Sequence, residues 1–255
     1  MSELPVPPYF VELYERLPRQ GPGSHQCTER ALALTGMEPG PLRALDLGCG
    51  SGASTLSLAR LGVGHTTALD LHSGFIEQLA RRVDERGLSQ QIAPEQGDMT
   101  RLAARFEPAS FDLIWSEGAI YFLGFEAGLR ALAPLLRPGG CLAVTHVSWL
   151  IADPPTECQQ YWAEEYPAIA SVEANLALVQ AAGLELLGHF TLPRAAWVDD
   201  YYAPLEALVA AERERGDQTT EELEVLAMIE REFEQFERFG DCFGYEFYVA
   251  RKPRD

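Results

Sequence analysis

The segment Leu45-Asp46-Leu47-Gly48-Cys49-Gly50-Ser51-Gly52 sets glycines at alternate positions directly after an apolar run. Glycine lets a backbone turn tightly and approach a ligand with no side chain between them. A helix that follows offers its free first amides to the same ligand. Gly48, Gly50 and Ala53 also fit a Gly-x-Gly-x-x-Gly/Ala pattern, which keeps a dinucleotide fold open. The acidic residues tilt the choice. Asp46 stands two residues before Gly48, where a carboxylate repels a pyrophosphate but can face an ammonium. Asp70 closes the next apolar run, where a carboxylate can accept both hydroxyls of a ribose. Asp98, in Gly97-Asp98-Met99, can accept a hydrogen bond from an adenine amino group, or serve only as a turn carboxylate. Three carboxylates with no Lys or Arg beside them suit a cationic ligand of ribose, adenine and an amino-acid tail without phosphate. Cys49 reads as a small buried filler.

Elements of regular length must position these groups. Arg43–Leu47 reads as strand one and Ala53–Leu61 as a helix. Thr66–Leu71 is strand two, followed by a helix from about Gly74 to Arg86. Gln91–Gln96 is a weaker third strand, because Pro94 sits in it. Phe111–Trp115 is strand four, with a helix from about Glu126 to Leu136. The Arg137-Pro138-Gly139-Gly140 turn then feeds strand five, Cys141–Val147. Alternating β and α elements predict a mostly parallel sheet covered on both faces. A helix over Ser171–Ala182, a strand over Leu184–Leu192 and a final strand over Gly244–Arg251 complete the pattern.

Two segments stand outside that alternation. Residues 1–40 carry a short helix, Tyr9–Leu17, and a second, His25–Thr35, which Ser24 can cap and Gly36 can end. Residues 195–240 are helical and acidic, with Leu223, Leu226, Ile229, Phe233 and Phe236 between glutamates that include Glu230, Glu232 and Glu234. That spacing marks an amphipathic helix with a solvated acidic face. It reads as a lid over the sheet end, with a dimer contact as the lesser reading. The block is too short and polar to hold its own core, so residues 1–255 are expected to form a single domain.

Leu45–Gly52, with Asp70 and Gly97-Asp98, resembles the class I S-adenosylmethionine (SAM)-dependent methyltransferases. The resemblance covers about residues 40–150. It implies an α/β, Rossmann-like, seven-stranded sheet of order 3-2-1-4-5-7-6 with the last strand antiparallel. Arg19-Gln20-Gly21-Pro22-Gly23-Ser24 and Trp115-Ser116-Glu117-Gly118-Ala119-Ile120-Tyr121 look like a narrower bacterial group, the small-molecule methyltransferases of the UbiE/type 11 kind. In that group helices before strand one close over SAM. The resemblance implies SAM as cofactor, S-adenosylhomocysteine (SAH) as product, and an unidentified small methyl acceptor. Its cofactor contacts map to Gln20, Asp46, Gly48, Cys49, Gly50, Asp70, Leu71, Gly97, Asp98, Met99, Ser116 and Glu117.

Methyl transfer is an in-line displacement, so positioning the acceptor about 3 Å from the methyl is the main requirement. A base is needed only if the acceptor must lose a proton. Glu117, leaving strand four, can contact SAM, orient a cationic acceptor or act as that base. Tyr121 can line the pocket or pack in the core. His146, near the end of strand five, titrates in a useful range, though a lone strand histidine is more often structural. Trp149, Tyr161, Trp162 and Trp197 can wall an apolar or cationic pocket. Asp153-Pro154-Pro155 lacks a following aromatic and follows strand five, so it reads as a turn. His65 and His72 lack metal-ligand spacing, and no metal is expected.

Bulk properties narrow the partners. A net charge of -18 opposes contact with nucleic acid or anionic lipid. No stretch approaches the roughly 20 apolar residues of a membrane span. Five cysteines without a C-x-x-C pair fit a reducing cytoplasm. Residues 1–5 lack the basic start and apolar core of a signal peptide. Two other readings stay open: an NAD-dependent Rossmann oxidoreductase, which needs a pyrophosphate to tolerate Asp46, and a non-catalytic SAM-binding module.

Overall fold

A computed structural model describes residues 7–254; residues 1–5, read above for a signal peptide, lie outside them. Strands β1 (Gly40–Leu47), β2 (Val63–Asp70), β3 (Ile92–Gln96), β4 (Phe111–Ser116), β5 (Leu136–Trp149), β6 (Ala170–Ser171), β7 (Glu185–Thr191) and β8 (Phe243–Arg251) form one sheet. Its order is β3-β2-β1-β4-β5-β8-β7, with β6 beside β5. The first five strands and β6 pair in parallel, whereas β8 runs antiparallel to both β5 and β7. The strand count therefore exceeds the expected seven. The extra strand is the two-residue β6, which extends the sheet at Ser148 and Trp149. With β6 set aside, the order is the expected one.

The helices are α1 (Pro8–Glu15), α2 (His25–Thr35), α3 (Ala53–Arg60), α4 (Ser73–Glu85), α5 (Leu102–Arg105), α6 (Phe125–Leu132), α7 (Thr156–Glu165), α8 (Val172–Ala181), α9 (Arg194–Trp197), α10 (Ala203–Arg215) and α11 (Thr220–Phe239). Ser24 caps α2 by accepting the Cys27 amide, and Gly36 ends it with φ of 64°.

Strand side chains alternate between two faces, and the core divides accordingly. Leu113, Trp115, Ala143, Phe247 and Val249 point to one face, where they share a core with Leu13, Ala31, Leu205, Leu226 and Phe236 of the cap and the insertion. Ile114, Leu142, Val144 and Tyr248 point to the other, against Leu129 of α6 and Val179 of α8. The cap and the 195–240 insertion thus fold onto the same face. Each apolar side chain removed from water there contributes roughly 1.5–3 kcal/mol, which the short cap helices need because helices of that length are marginal alone.

Three local readings change. β5 begins at Leu136, not Cys141, because Gly139 and Gly140 exchange backbone hydrogen bonds with Lys252 and stay in the sheet. α6 is correspondingly shorter than expected. On α11, Leu223 is exposed while Val225 packs inside, and Glu232, half-buried three residues from Ile229 and four from Phe236, turns inward to the Tyr202 hydroxyl.

Candidate cofactor and acceptor site

The glycine loop leaves β1 and turns back into α3. Gly48 and Gly50 adopt φ of +65° and +53°, a region that side chains disfavour. A Cβ on Gly48 would drive into Ala119, and one on Gly50 into the Gln20 side chain, so protein packing as well as ligand approach demands glycine here. The Gly48 and Cys49 amides both bond the Leu69 carbonyl, at 2.8 and 3.1 Å, which fixes the turn against β2. Cys49 is buried, as expected of a filler.

Asp46 is fully enclosed. Its Oδ2 accepts the Ser54 hydroxyl at 3.0 Å and the Thr55 hydroxyl at 2.6 Å, while Oδ1 has no partner. Burial pushes its pKa up to about 7, against the pull of Thr55 and with a push from the Glu117 charge. An orphaned buried carboxylate oxygen at the mouth of the loop fits a cationic ligand group. Asp70 accepts the Gly50 amide at 2.9 Å and the His72 amide at 3.0 Å, one on each oxygen. Each oxygen keeps a second lone pair. Burial raises its pKa, opposed by those two amides. Leu71, beside it, is 58% exposed, an apolar platform next to a polar acceptor.

Across the loop, the Gly97 amide bonds the Asp70 carbonyl at 2.8 Å. Asp98 Oδ1 accepts both the amide and the hydroxyl of Thr100, at 2.8 and 2.7 Å, and so caps a short 3-10 turn that starts at Met99. Those bonds depress its pKa. The turn role weighed above is therefore present in the structure.

The cap touches the loop directly. Gln20 Oε1 accepts the Ser51 amide at 2.8 Å and its hydroxyl at 3.1 Å, while its amide nitrogen donates to the Tyr14 and Leu17 carbonyls. Three arginines also approach, against the expectation of carboxylates with no Lys or Arg beside them; Arg101 lies 3.7 Å from the outer oxygen of Asp98. Arg82 on α4 donates to the Ser51 carbonyl and hydroxyl, both at 2.8 Å. Arg19 donates to Glu117 at 3.2 Å. Arg82 and Arg19 are both occupied by protein acceptors. Only α4's helical spacing marks Arg82 as inward-facing, and that signal is weak.

At the end of β4, the Ser116 hydroxyl donates to the Leu47 carbonyl at 3.0 Å and locks β4 to β1. Glu117 is held by Thr28 at 2.8 Å and Trp115 Nε1 at 2.9 Å on one oxygen, and by Arg19 on the other. Its side chain is only 3% exposed. It is a clasp between the sheet and the cap, with both oxygens engaged by protein donors.

His146 is buried, stacked on Phe125 at 4.4 Å and edge-on to Tyr166 at 5.5 Å. Neither ring nitrogen has a partner. Burial pulls its pKa down to about 4, so the ring is neutral at neutral pH. Tyr121 sits 6.2 Å from Tyr166. Trp162 and Trp197 both flank Phe243, whereas Trp197 also packs on Tyr245 at 5.0 Å. Among the described residues, no group of three His, Cys, Asp or Glu can hold a metal ion. No described helix is long and apolar enough to cross a membrane.

Comparison with known proteins agrees with this geometry. Residues 44–140 match the methyltransferase domain family. The 27-O-demethylrifamycin SV methyltransferase of Amycolatopsis mediterranei is 26% identical over 237 residues, covering 89% of this chain and 83% of that one. A sterol 24-C-methyltransferase of Gibberella zeae is 26% identical over 179 residues, and there the match spans only 45% of the relative's length. Among solved structures, a SAM-dependent methyltransferase from Geobacter sulfurreducens in complex with SAH has a TM-score of 0.81 at 20% identity, covering 96% of this chain and 98% of that one. A counterpart from Thiobacillus denitrificans, also in complex with SAH, has a TM-score of 0.81 at 22% identity over the same shares. Residues 44–140 thus match a methyltransferase domain, and the chain as a whole shares its fold with these SAH-bound methyltransferases. The oxidoreductase alternative is not supported: the loop that suggested it lies within the methyltransferase match.

Proposed function

We propose that this chain, as a single domain over residues 1–255, moves a methyl group from SAM to a small molecule held between the carboxyl edge of the sheet and the cap and lid helices. The supporting observation is the roof. Tyr14, Tyr201 and Tyr202 are buried where cap and insertion meet, so the chain itself covers the acceptor side, which suits a small molecule better than a polymer.

On this reading Asp70 accepts the ribose hydroxyls, and Leu71 and Met99 flank the adenine. Gly97 keeps the Asp98 turn in place, and Asp98 accepts the adenine amino group with its outer oxygen. The free oxygen of Asp46 faces the amino-acid ammonium across Gly48, Cys49 and Gly50. Gln20 holds the loop closed, while Ser116 and Glu117 hold the end of β4. SAM, when bound, supplies an electrophilic methyl on a positive sulfur and leaves as SAH. Tyr121 lines the acceptor side. His146 offers a neutral imidazole to a polar group of the acceptor; with a pKa near 4 it is a weak base. Glu117 positions the cap and takes no proton, because protein donors hold both its oxygens.

The acidic balance argues against nucleic acid and anionic membrane as partners. Free cysteines suit a reducing cytoplasm. A homodimer contact is the second reading of the outer face of α11, where Leu223 and Met228 are exposed.

The test is incubation with methyl-tritiated SAM and a metabolite extract, followed by acid precipitation. Label is expected in a soluble species that chromatography separates from SAM. Label confined to precipitated protein or nucleic acid would overturn the small-molecule assignment.

A further inference from the structure

The inward side of α11 carries one carboxylate that the cofactor reading does not use. Glu232 Oε1 accepts the Tyr202 hydroxyl at 2.9 Å, the one hydrogen bond its side chain makes among the described residues. No cation pairs with it there. The Glu232 charge acts on tyrosines of separate elements: Tyr14 of α1, Tyr121 after β4, Tyr161 of α7 and Tyr245 of β8. Burial raises the pKa of each hydroxyl, and the Glu232 charge adds to the rise in all four. Tyr14 and Tyr201 share a hydroxyl hydrogen bond of 2.8 Å, and the Tyr201 ring lies 5.1 Å from that of Tyr202, the carboxylate's donor.

Tyr202 packs on Trp197 at 5.9 Å and Trp197 on Tyr245 at 5.0 Å, and a Cβ on Gly118, just past β4, would meet the Tyr245 ring at 3.5 Å, so the cluster reaches the end of β4. Tyr121 responds to the Asp70 charge as well as to Glu232. Its neighbour Tyr166 has a buried hydroxyl without a partner, and so do the Trp162 indole nitrogen and both nitrogens of His146, itself 1% exposed. Unpartnered polar atoms are costly in a protein interior, and the Trp162 indole nitrogen, on the lid side of the sheet, suits a polar partner.

The charge tells which ligand. A carboxylate held by one neutral donor lacks a cation. Tyrosine faces attract a cation through the ring quadrupole. An acceptor bearing a carboxylate or phosphate at this point would be repelled, and a neutral alcohol would leave the charge uncompensated.

We propose that the methyl acceptor is an amine, bound as its ammonium with Glu232 opposite the nitrogen and the tyrosine rings around it. This rests on the methyltransferase reading above. Glu232 also takes the proton. The N–H bond breaks, its electron pair stays on nitrogen, and the proton passes to a carboxylate oxygen. The amine is then neutral and nucleophilic. Burial pushes the Glu232 pKa up to about 7, which suits a group that accepts a proton near neutral pH.

The experiment is calorimetric titration of the SAH-loaded full chain with 2-phenylethylamine and with 2-phenylethanol. SAH binding is measured first for every variant, so that loss of the cofactor site is seen separately; a wild type that does not bind SAH counts against the cofactor reading. In SAH-loaded wild type the amine is expected to bind at least about tenfold tighter than the alcohol. Glu232→Gln should bind SAH normally and lose that preference. Equal binding of the two probes by wild type, no amine binding, or a preference that survives Glu232→Gln would overturn the assignment. Should Glu232→Gln fail to fold, Tyr202→Phe serves instead. It removes the carboxylate's one donor, and the preference for the amine should grow; an unchanged or smaller preference contradicts the proposal.

Discussion

The Gln20 side chain and the Ser51 amide are 2.8 Å apart, so the N-terminal cap is hydrogen-bonded to the glycine loop itself. The same oxygen accepts the Ser51 hydroxyl. A change in the cap is thereby transmitted to the loop amides. Gln20→Ala should weaken SAH binding by roughly 0.5–1.5 kcal/mol, the net value of a neutral hydrogen bond, with little loss of stability. Calorimetric titration reads this directly, and unchanged affinity would show that the loop holds its shape alone.

Asp70 braces the loop, and on the proposed reading it also faces the ribose. Asp70→Ala removes the acceptor for the Gly50 and His72 amides together with the proposed ribose contacts. SAH affinity should fall by roughly 1–3 kcal/mol or more, the range for hydrogen bonds to a charged group. Asp70→Asn, which keeps one acceptor oxygen, should lose less. Equal affinity for all three proteins would remove Asp70 from the cofactor site.

Glu117 supports the cap. Glu117→Ala leaves Arg19, 13% exposed, without its carboxylate and frees Thr28 and Trp115. Breaking such a pair by removing one partner costs roughly 3–5 kcal/mol. Urea denaturation should show this loss, and limited proteolysis should cut first between α1 and α2. Glu117→Gln should be milder and retain most methyl transfer, whereas a general base would lose nearly all of it.

The raised pKa of Asp46 gives a signed pH dependence. Its folded value, about 7, lies above the ordinary 3.8. The folded state therefore binds this proton more tightly than the unfolded state. The contribution is full below about pH 4 and is lost as the pH rises to about 7, at up to about 1.4 kcal/mol per pH unit within that window. Glu232, also raised to about 7, adds the same sign, and Glu212, lowered chiefly by Arg16, adds the opposite. The difference between wild type and Asp46→Asn isolates one group. Denaturation from pH 4.5 to 7.5 should show wild-type stability falling relative to the variant. Parallel curves would mean that Asp46 is ionised throughout.

Much of the frame was legible because it depends on neighbours in sequence. The apolar runs, the loop glycines and Ser24 before α2 each satisfy a local rule, and Pro94 is tolerated because β3 is an edge strand. What escaped notice depends on contacts across the chain. Nothing near Glu117 announces Thr28, 89 positions away. Arg82 reaches Ser51 only after α4 folds back along the loop. Composition alone places Glu232 among the solvated glutamates. Its spacing from Ile229 and Phe236 put it on the apolar stripe, and that signal was available. The two-residue β6 is too short for any periodicity to reveal.

The most direct test of the cofactor site is calorimetric titration of the full chain with SAH, with NAD as control. One-site micromolar binding of SAH and none of NAD is expected. Binding of NAD, or of neither ligand, would contradict the assignment of Asp46, Asp70 and the glycine loop to SAM.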